Sequence, residues 1–170
     1  IVALDQAPAS PPEPSPSGIQ GYAIDGKHIR GAAAHGQSTI LVSLVAHRDA
    51  RVVAQTAVAS KRHERHAVPA LLEGRDLRGM VVTMDAGLTQ AALARQIRAQ
   101  GGHYLMVVKR NRHQLYDELT TFFSTAPQPC DRPWRTASMS NKGHGRLETR
   151  TLRCTDELDG YLEWPDVCQV

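Results

Sequence analysis

The sequence has little cysteine, no long apolar run and no base at either end. Cys130, Cys154 and Cys168 are an odd set without paired spacing, which argues against a disulfide framework and a zinc knuckle. A reducing cytoplasm is the compartment this usage predicts. No apolar stretch reaches the length of a membrane span. The first residues carry neither a basic stretch nor a long apolar core, so no secretory leader is expected. The eight histidines show no paired ligand spacing. Residues 1–20 hold two acids and no Lys or Arg, and residues 154–170 hold five acids and none. All 20 Lys and Arg therefore fall between 21 and 153, against ten acids. A strongly basic middle fits a polyanionic partner, and equally a solvated basic surface.

The pattern turns on Gly21-Tyr22-Ala23-Ile24-Asp25-Gly26-Lys27-His28-Ile29-Arg30. Tyr22 to Ile24 read as a short buried strand with Asp25 at its end. A carboxylate there either starts an Asp-Gly turn or meets a positive partner, for which a hard divalent cation is suited. Gly26 lets a backbone or ligand approach closely. Met80 to Gly87 repeats the design: an apolar run, Asp85, a small residue and a glycine. Two parallel strands ending in Asp place both carboxylates at one rim, where they repel unless a cation lies between them.

Other elements fall in order around these strands. Residues 1–18, with Pro8, Pro11, Pro12, Pro14 and Pro16, read as an extended linker. Residues 39–46 and 51–58 are strands joined by a hairpin-sized turn, completing an antiparallel meander. Ser60 to His66 reads as a charged crossover, followed by a short helix over 68–72. Residues 88–100 predict a helix capped by Thr89 and stopped at Gly101. Residues 103–108 are a strand. Asn111 then either caps a helix with Leu115, Leu119 and Phe122 on its core face, or contacts a base. Three strands followed by alternating helices and strands predict an α/β, RNase H-like mixed sheet over 19–126: a three-strand antiparallel meander plus parallel strands with flanking helices. From Pro127 the texture changes. Residues 127–170 predict an inserted β-hairpin near the C-terminus, leaving the core incomplete.

These pieces resemble a bacterial insertion-sequence DDE transposase of the group related to the H-repeat-associated proteins. The matching residues are Ala23 to Lys27 with Arg30-Gly31, Thr83 to Ala86, Lys109 with Asn111, and Gly143 to Arg150. Two motifs depart from the pattern: Lys109-Arg110-Asn111 stands where Lys-Gly-Asn is usual, and Arg62-His63-Glu64 where Ser-Asn-Glu is usual. The resemblance implies a Mg²⁺- or Mn²⁺-dependent DNA strand transferase with a two-metal site, its first two catalytic and metal-holding acids at Asp25 and Asp85. It implies contacts to DNA from Lys27, Arg30, Lys109, Arg110, Asn111 and Arg146. It also implies a bacterial cytoplasmic protein whose full-length form is a homodimer on DNA, bound to transposon ends and target. The family's third acid lies in a downstream His-Trp-x-Ile-Glu-Asn motif, which is missing here. Glu148 is the substitute to consider, although its neighbours alternate as a strand. A partial copy is therefore expected. The other functional readings are an inactive remnant that only binds DNA, and a different RNase H-like nuclease.

Overall fold

A computed structural model describes residues 18–29, 39–125, 134–143 and 146–170. Arg30 and the expected linker, Pro127 break and hairpin turn at 144–145 lie outside them. The chain divides into two compact units, residues 1–112 and 113–170.

In the first unit, β1 (Gln20–Ile29), β2 (Thr39–Ala46), β3 (Val52–Val58), β4 (Met80–Met84) and β5 (His103–Met106) form one sheet in the order β3-β2-β1-β4-β5. The first three pair antiparallel, while β4 runs parallel to β1, and β5 to β4. This is the expected RNase H-like mixed sheet. Alternation sets the faces: along β2, Ile40, Val42, Leu44 and Ala46 are buried and the residues between them only partly so. With Tyr22, Ile24, Val82 and Met84 they meet Val68, Leu71 and Leu72 of α1 (Lys61–Leu72) and Leu93 and Ile97 of α2 (Ala91–Ala99) in one core. Each such side chain contributes about 1.5–3 kcal/mol when fully buried. Leu105, 62% exposed, lies on the sheet face that α1 and α2 leave uncovered.

Three local readings need correction. The charged segment Ser60 to His66 is no crossover: α1 starts at Lys61, and Pro69 lies inside it. His63, Arg65 and His66 are exposed and Glu64 is half-buried, while Val68, Leu71 and Leu72 on one side of the helix supply the core contacts. Thr89 does not cap α2. The N-cap is Gln90, without a side-chain cap bond, and Thr89 is fully buried, its hydroxyl donating to the carbonyls of Val107 and Asp85. Burial makes that use of the hydroxyl obligatory. Asn111 does not hold the place before α3 (His113–Ser124), which is Arg112's, and its side-chain amide donates to Ala86 O.

The second unit comprises α3, the hairpin β6 (Arg135–Gly143) and β7 (Arg146–Cys154), and a C-terminal segment. No residue of α3 is fully buried. Phe122 stacks on Trp134 at 5.3 Å, and Phe123 meets the same ring edge-on at 5.1 Å. Trp134 donates its indole N–H to Glu157 (2.9 Å), and Thr155 exchanges two backbone bonds with Val170. Leu158 and Leu162 are buried, so the acidic end does contribute apolar packing.

Before β4, Arg78 grips Asp76 through three side-chain bonds and its own backbone N–H. Those bonds, the side-chain ones foremost, lower the Asp76 carboxyl from 3.8 to about 2. A depressed carboxylate contributes stability that is fully present above its unfolded value and is lost as pH falls through its folded one. An NMR carboxyl titration is expected to place the Asp76 midpoint near 2 and to return it toward 3.8 in Arg78→Ala.

Candidate metal centre

The parallel pairing of β1 with β4 ends in the register Ile24↔Met84. One residue further along each chain come Asp25 and Asp85, both exposed, at the same rim of the sheet. The strands then differ. β4 stops, while β1 runs on through Asp25, which lies opposite Ser43 of β2. Asp25-Gly26 is therefore not a hairpin turn, and Asp25 projects from mid-strand rather than from a strand end.

Hydrogen bonds hold the turn after β4. Asp85 Oδ1 accepts from Gly87 N–H (2.8 Å), and Leu88 N–H donates to Asp85 O (3.1 Å). From outside, Asn111 donates to Ala86 O (2.7 Å), Arg65 Nε to Gly87 O (3.0 Å) and Arg112 Nε to Thr89 O (2.9 Å). Thr89 ties the turn to Val107 beyond β5 at 2.7 Å. Asp85 thus sits on a loop whose backbone carbonyls are bound from α1 and from the segment after β5. Gly26 does permit a close approach, and the group that approaches is the Glu64 carboxylate of α1, which a β-carbon at Gly26 would strike. Neighbouring side chains of α1, Glu64 and Arg65, thereby reach the glycines beside both aspartates.

Among the expected DNA contacts, Lys27 is exposed on β1, two residues beyond Asp25. Lys109 and Arg110 are exposed after β5, whose parallel pairing with β4 brings its C-terminal end to the rim of Asp85. Asn111 is spent on Ala86 O. Glu148 belongs to β7 in the second unit, where Arg150 holds it at 2.9 Å. Arg146 opens β7, and its side chain is outside the described ones. Among the described residues no three His, Cys, Asp or Glu side chains converge to hold a metal ion. The donor set at the rim is thus two carboxylates, oxygen ligands suited to Mg²⁺ or Mn²⁺. Sequence reasoning missed Arg65, Glu64 and the buried Thr89. The first two lie on a stretch that charge alone marked as a connection. The hydroxyl of Thr89 offered a capping signal that burial redirected.

The sequence profile described as "Transposase DDE domain" matches residues 16–161. The chain is 36% identical over 146 residues to a Xanthobacter autotrophicus protein named as an uncharacterized protein in the dhlA 3' region, covering 85% of this chain and 49% of that one. It is 31% identical over 146 residues to YbfD of Escherichia coli (strain K12), named an H repeat-associated putative transposase, covering 84% and 57%. Likewise it is 31% identical over 150 residues to YhhI of the same strain, which bears the same description, covering 84% and 39%. The chain spans about half the length of the curated relatives it matches.

Removing the anchors of the Asp85 turn is expected to loosen it while the sheet persists. Asn111→Ala and Thr89→Val should each cost about 1–3 kcal/mol, the penalty for a polar partner left unsatisfied. Hydrogen exchange is expected to rise first at the amides of Gly87 and Leu88. Uniform exchange across β1 to β5 instead would show that the turn has no separate stability.

Proposed function

Because the chain belongs to the transposase DDE domain family, we propose that it carries the first two acids of a divalent-metal-dependent DNA strand-transfer site, Asp25 and Asp85. One observation carries the reading: these two acids follow register partners on neighbouring parallel strands. Strands in a sheet lie about 4.8 Å apart, so carboxylates at that level stand within reach of a shared cation. A bound Mg²⁺ or Mn²⁺ supplies Lewis-acid activation of the attacking hydroxyl and stabilises charge on the leaving oxygen.

The chain's own residues do the rest. Asp25 is held by its pairing with Ser43 of β2, one residue beyond the last β1–β4 pair, and Asp85 by the bonds of its turn, which supports two carboxylates presented on fixed backbone. Lys27, Lys109 and Arg110 neutralise phosphates near the rim, adding affinity that falls with salt. Asn111 acts through Ala86, as a positioning residue. Since no three acids converge among the described residues, the reading draws the third acid from outside them. Mg²⁺ dependence, binding to transposon ends and target, the homodimer on DNA and the cytoplasmic setting belong to the same proposal. A catalytically inactive remnant that only holds DNA is the second reading, supported by the lack of a third converging acid among the described residues.

Mn²⁺ binding followed by electron paramagnetic resonance tests the site. Asp25→Asn and Asp85→Asn are each expected to weaken binding about tenfold or more, since each removes one of two anionic ligands. Glu148→Gln is expected to leave it unchanged. Mn²⁺ affinity indifferent to both aspartates would end the reading. DNA cleavage by the chain itself that disappears in both Asp85→Asn and Glu148→Gln would instead make Glu148 the third acid.

A further inference from the structure

The β6–β7 hairpin has a composition and an exposure that its fold does not use. Every described side chain from Arg135 to Lys142 and from Leu147 to Arg153 is exposed. A two-stranded ribbon is marginal by itself in water, and nine residues a strand is long for one without a buried face. The two faces differ. Directly opposed residues of an antiparallel pair share a face. One face carries the pairs Arg135↔Cys154, Ala137↔Leu152, Met139↔Arg150 and Asn141↔Glu148, with Arg135 at one end and Arg150 neutralised by Glu148.

The other face is built of hydroxyls between two cations. Ser138 bonds Thr151 at 3.0 Å and Ser140 bonds Thr149 at 2.9 Å. Lys142 and Arg153 stand at its two ends. Each hydroxyl pair consumes one O–H and leaves the other to donate outward. Arg153 spends one N–H on Phe123 O, at 3.5 Å, and a guanidinium has five. Leu147, opposite Lys142, is 74% exposed. The face holds no acid and runs about 20 Å from residue 136 to 142 at the usual rise per residue. Uncommitted O–H donors flanked by cations match the phosphate oxygens of a duplex. A two-stranded ribbon also fits a major groove about 12 Å wide, where an apolar side chain meets a thymine methyl.

We propose that the β6–β7 ribbon is a docking arm for duplex DNA, and that its Ser138–Thr151, Ser140–Thr149, Lys142 and Arg153 face is the one that meets it. This deepens the strand-transfer reading and rests on it only for DNA being the natural polyanion. Metal-holding acids and DNA-holding arm then reside in different units of the chain.

Fluorescence anisotropy with a labelled 20-base-pair duplex, in EDTA and over a salt series, tests the arm using the whole chain. Lys142→Glu with Arg153→Glu is expected to weaken binding at least tenfold and to lower the log–log salt slope by about 1.8, the equivalent of two phosphate contacts. Arg135→Glu with Arg150→Glu, the same change in charge on the opposite face, is expected to weaken it less than threefold. Ser138→Ala with Ser140→Ala is expected to weaken it severalfold with the slope unchanged. Equal losses from the two double charge reversals would overturn the proposal, as would duplex binding indifferent to both, no duplex binding by the unmodified chain, or a change of oligomeric state alone. Should a charge reversal lose its circular dichroism signal, Lys142→Gln with Arg153→Gln replaces it under the same criteria. Because EDTA removes divalent ions, duplex affinity reads the arm without the metal site. The strand-transfer site therefore fails or stands on Mn²⁺ binding, and the arm on which face governs duplex affinity.

Discussion

The parallel pairing of β1 with β4 is the constraint on which the rest of the first unit depends. Parallel neighbours cannot be joined by a tight turn, so the chain must travel away from β1 and come back to the starting end of the sheet. It does so through the antiparallel meander and then α1, which crosses the face bearing Tyr22, Ile24, Val82 and Met84 and buries it. A slip of one residue in either strand would turn its apolar side chains outward, so burial fixes the register as firmly as the backbone bonds do. That register brings Asp25 level with Asp85, on strands whose sequences are otherwise unrelated in position. Any chemistry the two carboxylates share follows from hydrophobic packing on the opposite side of the sheet.

The loop carrying Asp85 shows how such a level is kept beyond the end of a strand. Ladder bonds stop at Met84, apart from the bond from Val107 N–H to Met84 O. Polar side chains from three places take over: Arg65 from α1, Asn111 and Arg112 from after β5, and Thr89 from within the loop. Each binds a backbone carbonyl that the sheet no longer satisfies. The arrangement leaves the Asp85 side chain at the surface while immobilising the backbone that carries it. It also explains why a loop at the rim needs no buried apolar anchor beyond Ala86 and Leu88.

Local pattern made the strands legible. The apolar stretches 39–46 and 51–58, and the two apolar runs before Asp25 and Asp85, predicted the meander, the parallel pair and the common rim. Which side chains of those stretches are buried follows a two-residue period that the sheet imposes. The hairpin near the C-terminus was legible from its own strand-like alternation. The start of α1 was not. Lys61 to His66 has no apolar periodicity of its own, and the helix forms there because its later turns, with Val68, Leu71 and Leu72, are held in the core.

By itself the sequence determined which residues are apolar at strand spacing, where acids follow those runs, and that positive charge is confined to the middle of the chain. It thereby determined the class of fold and nominated Asp25 and Asp85. Only the tertiary structure decided what the polar side chains are spent on. Asn111 and Thr89 carried the same local signals as helix caps, yet both bind carbonyls about twenty residues away in sequence, at Ala86 and Val107. Glu148 looked available as an acid, and Arg150 takes it two residues along the same strand. Glu64 and Arg65 looked like part of a charged crossover and instead lie on a helix, reaching Gly26 and Gly87 near the two aspartates. The reason is physical. Apolar burial is set by a residue's own periodicity, whereas a hydrogen bond needs a partner at about 3 Å, and only the packed chain determines which group stands there.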